Sequence, residues 1–69
     1  MWAVMARVRK GTRRLIHDSR GAGWEDEYWV ITLTGEDSEV EAHQRQHDFE
    51  QHCLPGEAAW VRPYAERWT

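Results

Sequence analysis

From Trp2 to Arg9 the chain alternates, with Trp2, Val4, Ala6 and Val8 at one parity and Ala3, Met5, Arg7 and Arg9 at the other. A period of two sends successive side chains to opposite sides of a strand, so the pattern predicts a half-buried strand with the first set inward. Gly11 ends it. Thr12 to Glu27 holds one short apolar pair, Leu15-Ile16, followed by Asp18, Ser19, Gly21 and Gly23, and reads as a long first loop. Tyr28 to Thr34 carries the strongest strand signal, rich in β-branched and aromatic residues, with Trp29, Ile31 and Leu33 on one face. Gly35 to Ser38 reads as a turn, and Glu39 to Gln44 resumes the alternation through Val40 and Ala42, completing a β-hairpin.

The next segment has two readings. Ser38 with Glu41 matches a capping box that would start one helix running to Cys53. On that helix Ala42, Phe49 and Cys53 share a face, but Val40 falls opposite and the face holds few large apolar residues for its length. The preferred reading is therefore a strand to Gln44 and a short helical turn over Asp48 to His52. Pro55-Gly56 forms a turn and Ala58 to Arg62 a last strand, with Pro63 at its end. Short strands, a long first loop and a helical turn before the last strand predict an all-β fold: a small, single-domain β-barrel, SH3-like or OB-like, spanning residues 1–69. Its expected core is Val4, Ala6, Val8, Ile31, Leu33, Val40 and Val61.

At this length the thin aliphatic inventory becomes the main constraint. A chain of 69 residues buries only about 60% of the surface its unfolded form exposes. Five tryptophans must supplement the core, each offering roughly 200 Å². So short a chain hides only one or two of them completely, and the remainder point to an interface, because Trp is enriched at binding hot spots.

The net charge of −3 conceals an uneven distribution. Arg7, Arg9, Lys10, Arg13, Arg14 and Arg20 lie in the first third with Asp18 as the sole acid, whereas from Trp24 onward acids far outnumber bases. Either the two segments pair with each other, or the basic stretch is a nucleic-acid footprint; pairing is preferred. The lone Cys53 provides no internal disulfide and suits a reducing compartment. No signal-peptide pattern opens the sequence and no apolar run approaches membrane-spanning length, so the expected location is cytoplasmic, without membrane contact.

The run Leu54-Pro55-Gly56-Glu57-Ala58-Ala59-Trp60-Val61-Arg62-Pro63, preceded by Val40-Glu41-Ala42, resembles the closing strands of the small OB-like accessory domain at the carboxyl end of ABC-transporter ATPases. The resemblance covers about a third of the chain and implies a barrel. It implies no ligand, because the small-residue and Ser/Thr segment of the oxyanion-binding versions is absent.

Four potential zinc ligands, His43, His47, His52 and Cys53, fall close together. On a helix His43 and His47 share a face while His52 points elsewhere, and structural zinc is usually announced by Cys pairs, so they read as solvated side chains and no metal or other cofactor is expected. His17-Asp18-Ser19 are consecutive and cannot converge as a triad. Gly21-Ala22-Gly23 lacks a phosphate-binding setting, and Glu25-Asp26-Glu27 reads as a solvated strand edge. The expectation is a non-catalytic protein-interaction module, docking on a larger assembly or self-associating. Its aromatic contacts are Trp24, Tyr28, Trp60, Tyr64 and Trp68, with Arg7, Arg9, Arg13 and Arg14 orienting the partner. The alternatives are single-stranded nucleic-acid binding through the same arginines, and a metal- or oxyanion-binding barrel.

Overall fold

In the computed structural model, which covers Met1–Thr69, the first strand does not stop at Gly11. β1 runs Trp2–Asp18 and returns as β2, Gly21–Glu36. The predicted long loop is therefore the outer half of one long hairpin. Its turn explains why. Asp18 and Gly21 occupy the first and fourth places around Ser19-Arg20, the positions that favour Asp and Gly in a type I turn. The Asp18 carboxylate accepts the Arg20 N–H at 2.8 Å, holding the turn closed.

The hairpin has two irregularities. Val4 pairs with Thr34 but Met5 with Thr32, so Leu33 is an extra residue on β2. Arg9 pairs with Tyr28 and Arg13 with Asp26, so Lys10, Gly11 and Thr12 bulge opposite Glu27 alone. Gly11 makes the wider bulge possible, with φ at 83°, in the left-handed region that other residues enter only under strain. The bulge separates a base, below Arg9, from an outer arm.

After β2 the chain forms a helix, correcting the predicted strand over Glu39 to Gln44. α1 spans Glu39–Glu50. Ser38 is its N-cap, in extended conformation, with Oγ accepting the Glu41 N–H at 3.2 Å, and Glu39 and Glu41 complement the positive end of the helix. The shortage of large apolar residues does not prevent packing, because contact is made through a small one: Ala42 is fully buried and Val40, opposite it, is exposed. Gln46 donates to the Ala59 carbonyl at 2.9 Å and fastens the helix to the last strand.

β3, Ala58–Pro63, pairs antiparallel with the start of β1, from Trp2–Pro63 to Arg7–Ala58, and a 3₁₀ turn, Tyr64–Glu66, follows. The sheet order is β2-β1-β3. β2 and β3 thus run parallel to each other on either side of β1, connected through α1. The fold is mixed α/β, an open three-stranded antiparallel sheet with one helix, and the expected barrel, SH3-like or OB-like, is not formed. Three strands are too few to curl until their edges meet, and the Val40-Glu41-Ala42 segment that contributed to the resemblance is helical.

The core is small and sits at the base. Ala3, Val4, Met5, Ala6 and Ala42 are fully buried and Ala59 nearly so. Four successive buried residues on one strand mean that both faces of the sheet are covered there, and so Ala3 and Met5, expected to face outward, are core. On the Ala3–Gly35 side the cover is Tyr64, whose ring lies 3.2 Å from where a Gly35 Cβ would stand. Of the expected core, Val4 and Ala6 are buried, Val8, Leu33 and Val61 are half-buried, and Ile31 and Val40 are exposed. β3 ends its pairing at Arg7, and Ile31, opposite Ala6, already lies at the margin of the covered region.

Candidate functional site

Beyond the bulge the hairpin has only two strands and no helix against it. The molecule accordingly measures 46 × 26 × 17 Å, its long axis far exceeding the others. Two-stranded ribbons are marginal in water by themselves. This one is laced by ion pairs: Asp26 holds both Arg9 and Arg13 at 3.1 Å, Glu25 holds Arg14 at 3.1 Å, and Glu27 lies 3.9 Å from Lys10. Thr12 adds a hydrogen bond to Glu27 at 3.1 Å. The basic and acidic runs therefore pair across the hairpin, as the charge asymmetry suggested.

Near the arm's tip Leu15 and Trp24 are direct cross-strand partners, and both are exposed, at 52% and 67%. Directly opposed side chains stand on the same face. Trp24, Asp26 and Tyr28 alternate along β2 onto that face, and Arg9 and Arg13 reach Asp26 from the other strand. The result is an apolar pair at the outer end of a ladder in which two guanidiniums share one carboxylate.

Arg7 is engaged differently. Its guanidinium donates to the Gly56 carbonyl through Nε at 3.0 Å and Nη2 at 2.6 Å, and stacks 4.9 Å from the Tyr28 ring centroid. Gly56, at φ 88°, lies so close to the Tyr28 hydroxyl that a Cβ there would overlap it. Beside this knot Glu57 completes the join between arm and base. Its carboxylate accepts the Arg9 N–H at 2.8 Å and the Leu54 N–H at 2.7 Å. Those two backbone donors, Arg9 first, together with the Arg9 charge, hold the Glu57 carboxyl below the usual carboxylate range.

The sequence-derived contact residues do not form one patch. Trp24, Tyr28, Arg7, Arg9, Arg13 and Arg14 gather along the arm and its root. Tyr64 lies at the opposite end of the sheet, beside Gly35 and Met1, with Arg67 stacked 3.9 Å from its ring. Trp60 pairs with Met5 and is half-buried, and Trp68 is exposed at 61%. Trp29, expected to face the core, is 57% exposed, because its partner Val8 lies beyond the end of β3; Lys10 sits 4.0 Å from its ring centroid. Sequence reasoning did not single out Leu15, which the structure exposes opposite Trp24. The signal was present in the Arg13-Leu15-His17 alternation, mirrored by Ala22-Trp24-Asp26 across an Asp-Ser-Arg-Gly turn.

His43 and His47 lie on the outer side of α1, where they and Glu39, Val40, Gln44 and Asp48 line the largest surface depression, about 610 Å³. It is an open helix face, with His43 bonded to Gln46 at 3.0 Å and 3.6 Å from Glu39. Cys53 donates to the Glu50 carbonyl at 3.6 Å. No group of three or more His, Cys, Asp or Glu side chains is placed to hold a metal ion. No helix is long and apolar enough to cross a membrane. No family model, curated protein or solved structure matches this chain.

Proposed function

We propose that the protein is a non-catalytic interaction module that presents its hairpin arm to a protein partner. The observation that carries this reading is the exposed Leu15–Trp24 pair near the tip of a ribbon that has no cover of its own. A rigid aromatic beside an aliphatic side chain, displayed on a projection, suits insertion into a partner's groove, where burial of an indole dominates affinity. Trp29 and Trp68 are the other exposed indoles, Trp68 at the far end of the chain, whereas Trp60 and Tyr64 serve the base.

The arginines support a protein partner over a polyanion. Arg9, Arg13 and Arg14 already face carboxylates, so a phosphate backbone would have to displace Asp26 and Glu25 and would meet an acidic chain overall. Affinity capture from lysate, with and without nuclease, tests the proposal. The expected result is a protein retained by the wild type after nuclease treatment and lost from Trp24→Ala. Retention of single-stranded nucleic acid that Arg13→Ala and Arg14→Ala abolish would replace this reading with a nucleic-acid one.

A further inference from the structure

Four arginines lie in β1, and three of them engage a terminal nitrogen within the chain. Arg7 gives Nε and Nη2 to the Gly56 carbonyl, Arg9 gives Nη2 to Asp26, and Arg14 gives Nε and Nη2 to Glu25. Arg13 differs. It reaches Asp26 through Nε alone, at 3.1 Å, and neither of its terminal nitrogens meets an acceptor in the chain. Its side chain is 65% exposed, against 31% for Arg9, which shares the same carboxylate. The regular register from Arg13 to Asp18 puts Arg13 and Leu15 on one face, two positions apart, with Trp24 opposite Leu15. Arg14, paired with Glu25, stands on the other face. The free guanidinium edge therefore borders the exposed apolar pair. Charge is unbalanced there too: Arg9, Arg13 and Asp26 together carry one positive charge in excess, whereas Lys10 and Arg14 are matched one to one by Glu27 and Glu25.

We propose that the protein surface receiving Leu15 and Trp24 is an apolar groove with a carboxylate at its rim, and that this carboxylate closes on the Nη1–Nη2 edge of Arg13. A guanidinium offers parallel N–H groups that match the two oxygens of a carboxylate, and the excess positive charge on this face calls for an anion. Asp26, by taking Nε, leaves that edge free. One free fork suits a single acidic side chain. A nucleic-acid backbone draws on several cations at once, and the other three arginines are already engaged. The ion pair lies beside the apolar contact and open to solvent, where charge directs encounter and register more than it adds affinity.

This contact rests on the interaction reading of the arm, yet can fail while that reading stands. A phage-displayed library of random dodecapeptides, selected on the immobilised full chain and counter-selected on Trp24→Ala, supplies the probes. Enriched peptides should carry Asp or Glu beside Leu, Phe or Trp. Exchanging that acid for its amide should weaken binding to wild type about three- to tenfold, mostly through the association rate, and the difference should shrink at high salt. It should vanish in Arg13→Gln and persist in Arg14→Gln, with circular dichroism confirming both folds. Trp24-dependent peptides that carry no acid, or an acid whose exchange is felt equally in Arg13→Gln, would overturn the acidic rim and leave the adhesive arm in place. Failure to enrich any Trp24-dependent peptide, or Trp24-dependent binding of oligo(dT) that Arg13→Gln abolishes, would overturn both.

Discussion

The Glu57 carboxylate accepts the Arg9 backbone N–H at 2.8 Å, beyond the last paired residues of β1 and β3, Arg7 and Ala58. A side chain thus takes the place of the carbonyl that a longer β3 would have offered, and the same carboxylate closes the Leu54–Glu57 turn.

A pH dependence follows from this geometry. The folded-state pKa of Glu57 lies below its unfolded value, so its contribution to stability is present above the unfolded pKa, about 4.3, and is lost as pH falls through the folded value. The melting temperature of wild type should therefore fall more steeply below about pH 4.5 than that of Glu57→Gln. Gln keeps an acceptor oxygen but does not titrate, and identical profiles for the two proteins would show that the carboxylate is not the sensitive group.

Core truncation should separate the base from its margin. Met5 is fully buried, and Met5→Ala should cost about 2 to 5 kcal/mol in denaturant unfolding, enough to unfold much of so small a protein. Ile31 is 36% exposed, and Ile31→Ala should cost only about 1 kcal/mol.

The two positive-φ glycines at the join between arm and base should differ. Gly11 has open space where a Cβ would go, so Gly11→Ala incurs only backbone strain, about 1 to 2 kcal/mol. Gly56→Ala adds an overlap with the Tyr28 hydroxyl and should destabilise more. Tyr28→Phe should bring Gly56→Ala back toward the Gly11→Ala level, and chemical denaturation of the double variant reads this directly.

Amide hydrogen exchange should divide the hairpin at the Gly11 bulge. Val4 to Ala6, paired on both sides and buried, should exchange last. Arg13 to Ile16 and Gly23 to Asp26, in a ribbon held by exposed ion pairs, should exchange far sooner. Uniform protection along β1 would mean that the arm is stabilised by something other than its own pairing.

What the sequence revealed depended on whether one face or two were covered. The alternation of Trp2 to Arg9 identified the strand but not that Ala3 and Met5 would be buried, because a period of two names two faces without saying what lies on each. The Ser38–Glu41 box was the decisive local signal for α1. Weighing it against helix amphipathicity failed because Ala42 allows close approach with little apolar area. The arm was concealed by composition: Arg, Asp, Gly and Ser look like a loop, and only the Asp18–Gly21 turn with cross-strand charge matching distinguishes a solvated ribbon from one. Of the predicted contact residues, Trp24 and Trp68 are exposed, whereas Tyr64 covers the Ala3–Gly35 side.

The proposed adhesion of the outer arm through Leu15 and Trp24 is tested most directly by the affinity of the captured protein partner for arm variants. Trp24→Ala should weaken binding by about 1 to 4 kcal/mol, roughly five- to a thousand-fold, and Leu15→Ala by less. Arg13→Ala and Arg14→Ala should mainly change the association rate and its salt dependence. An affinity unchanged by both Trp24→Ala and Leu15→Ala, in proteins whose folds are intact, would contradict the account.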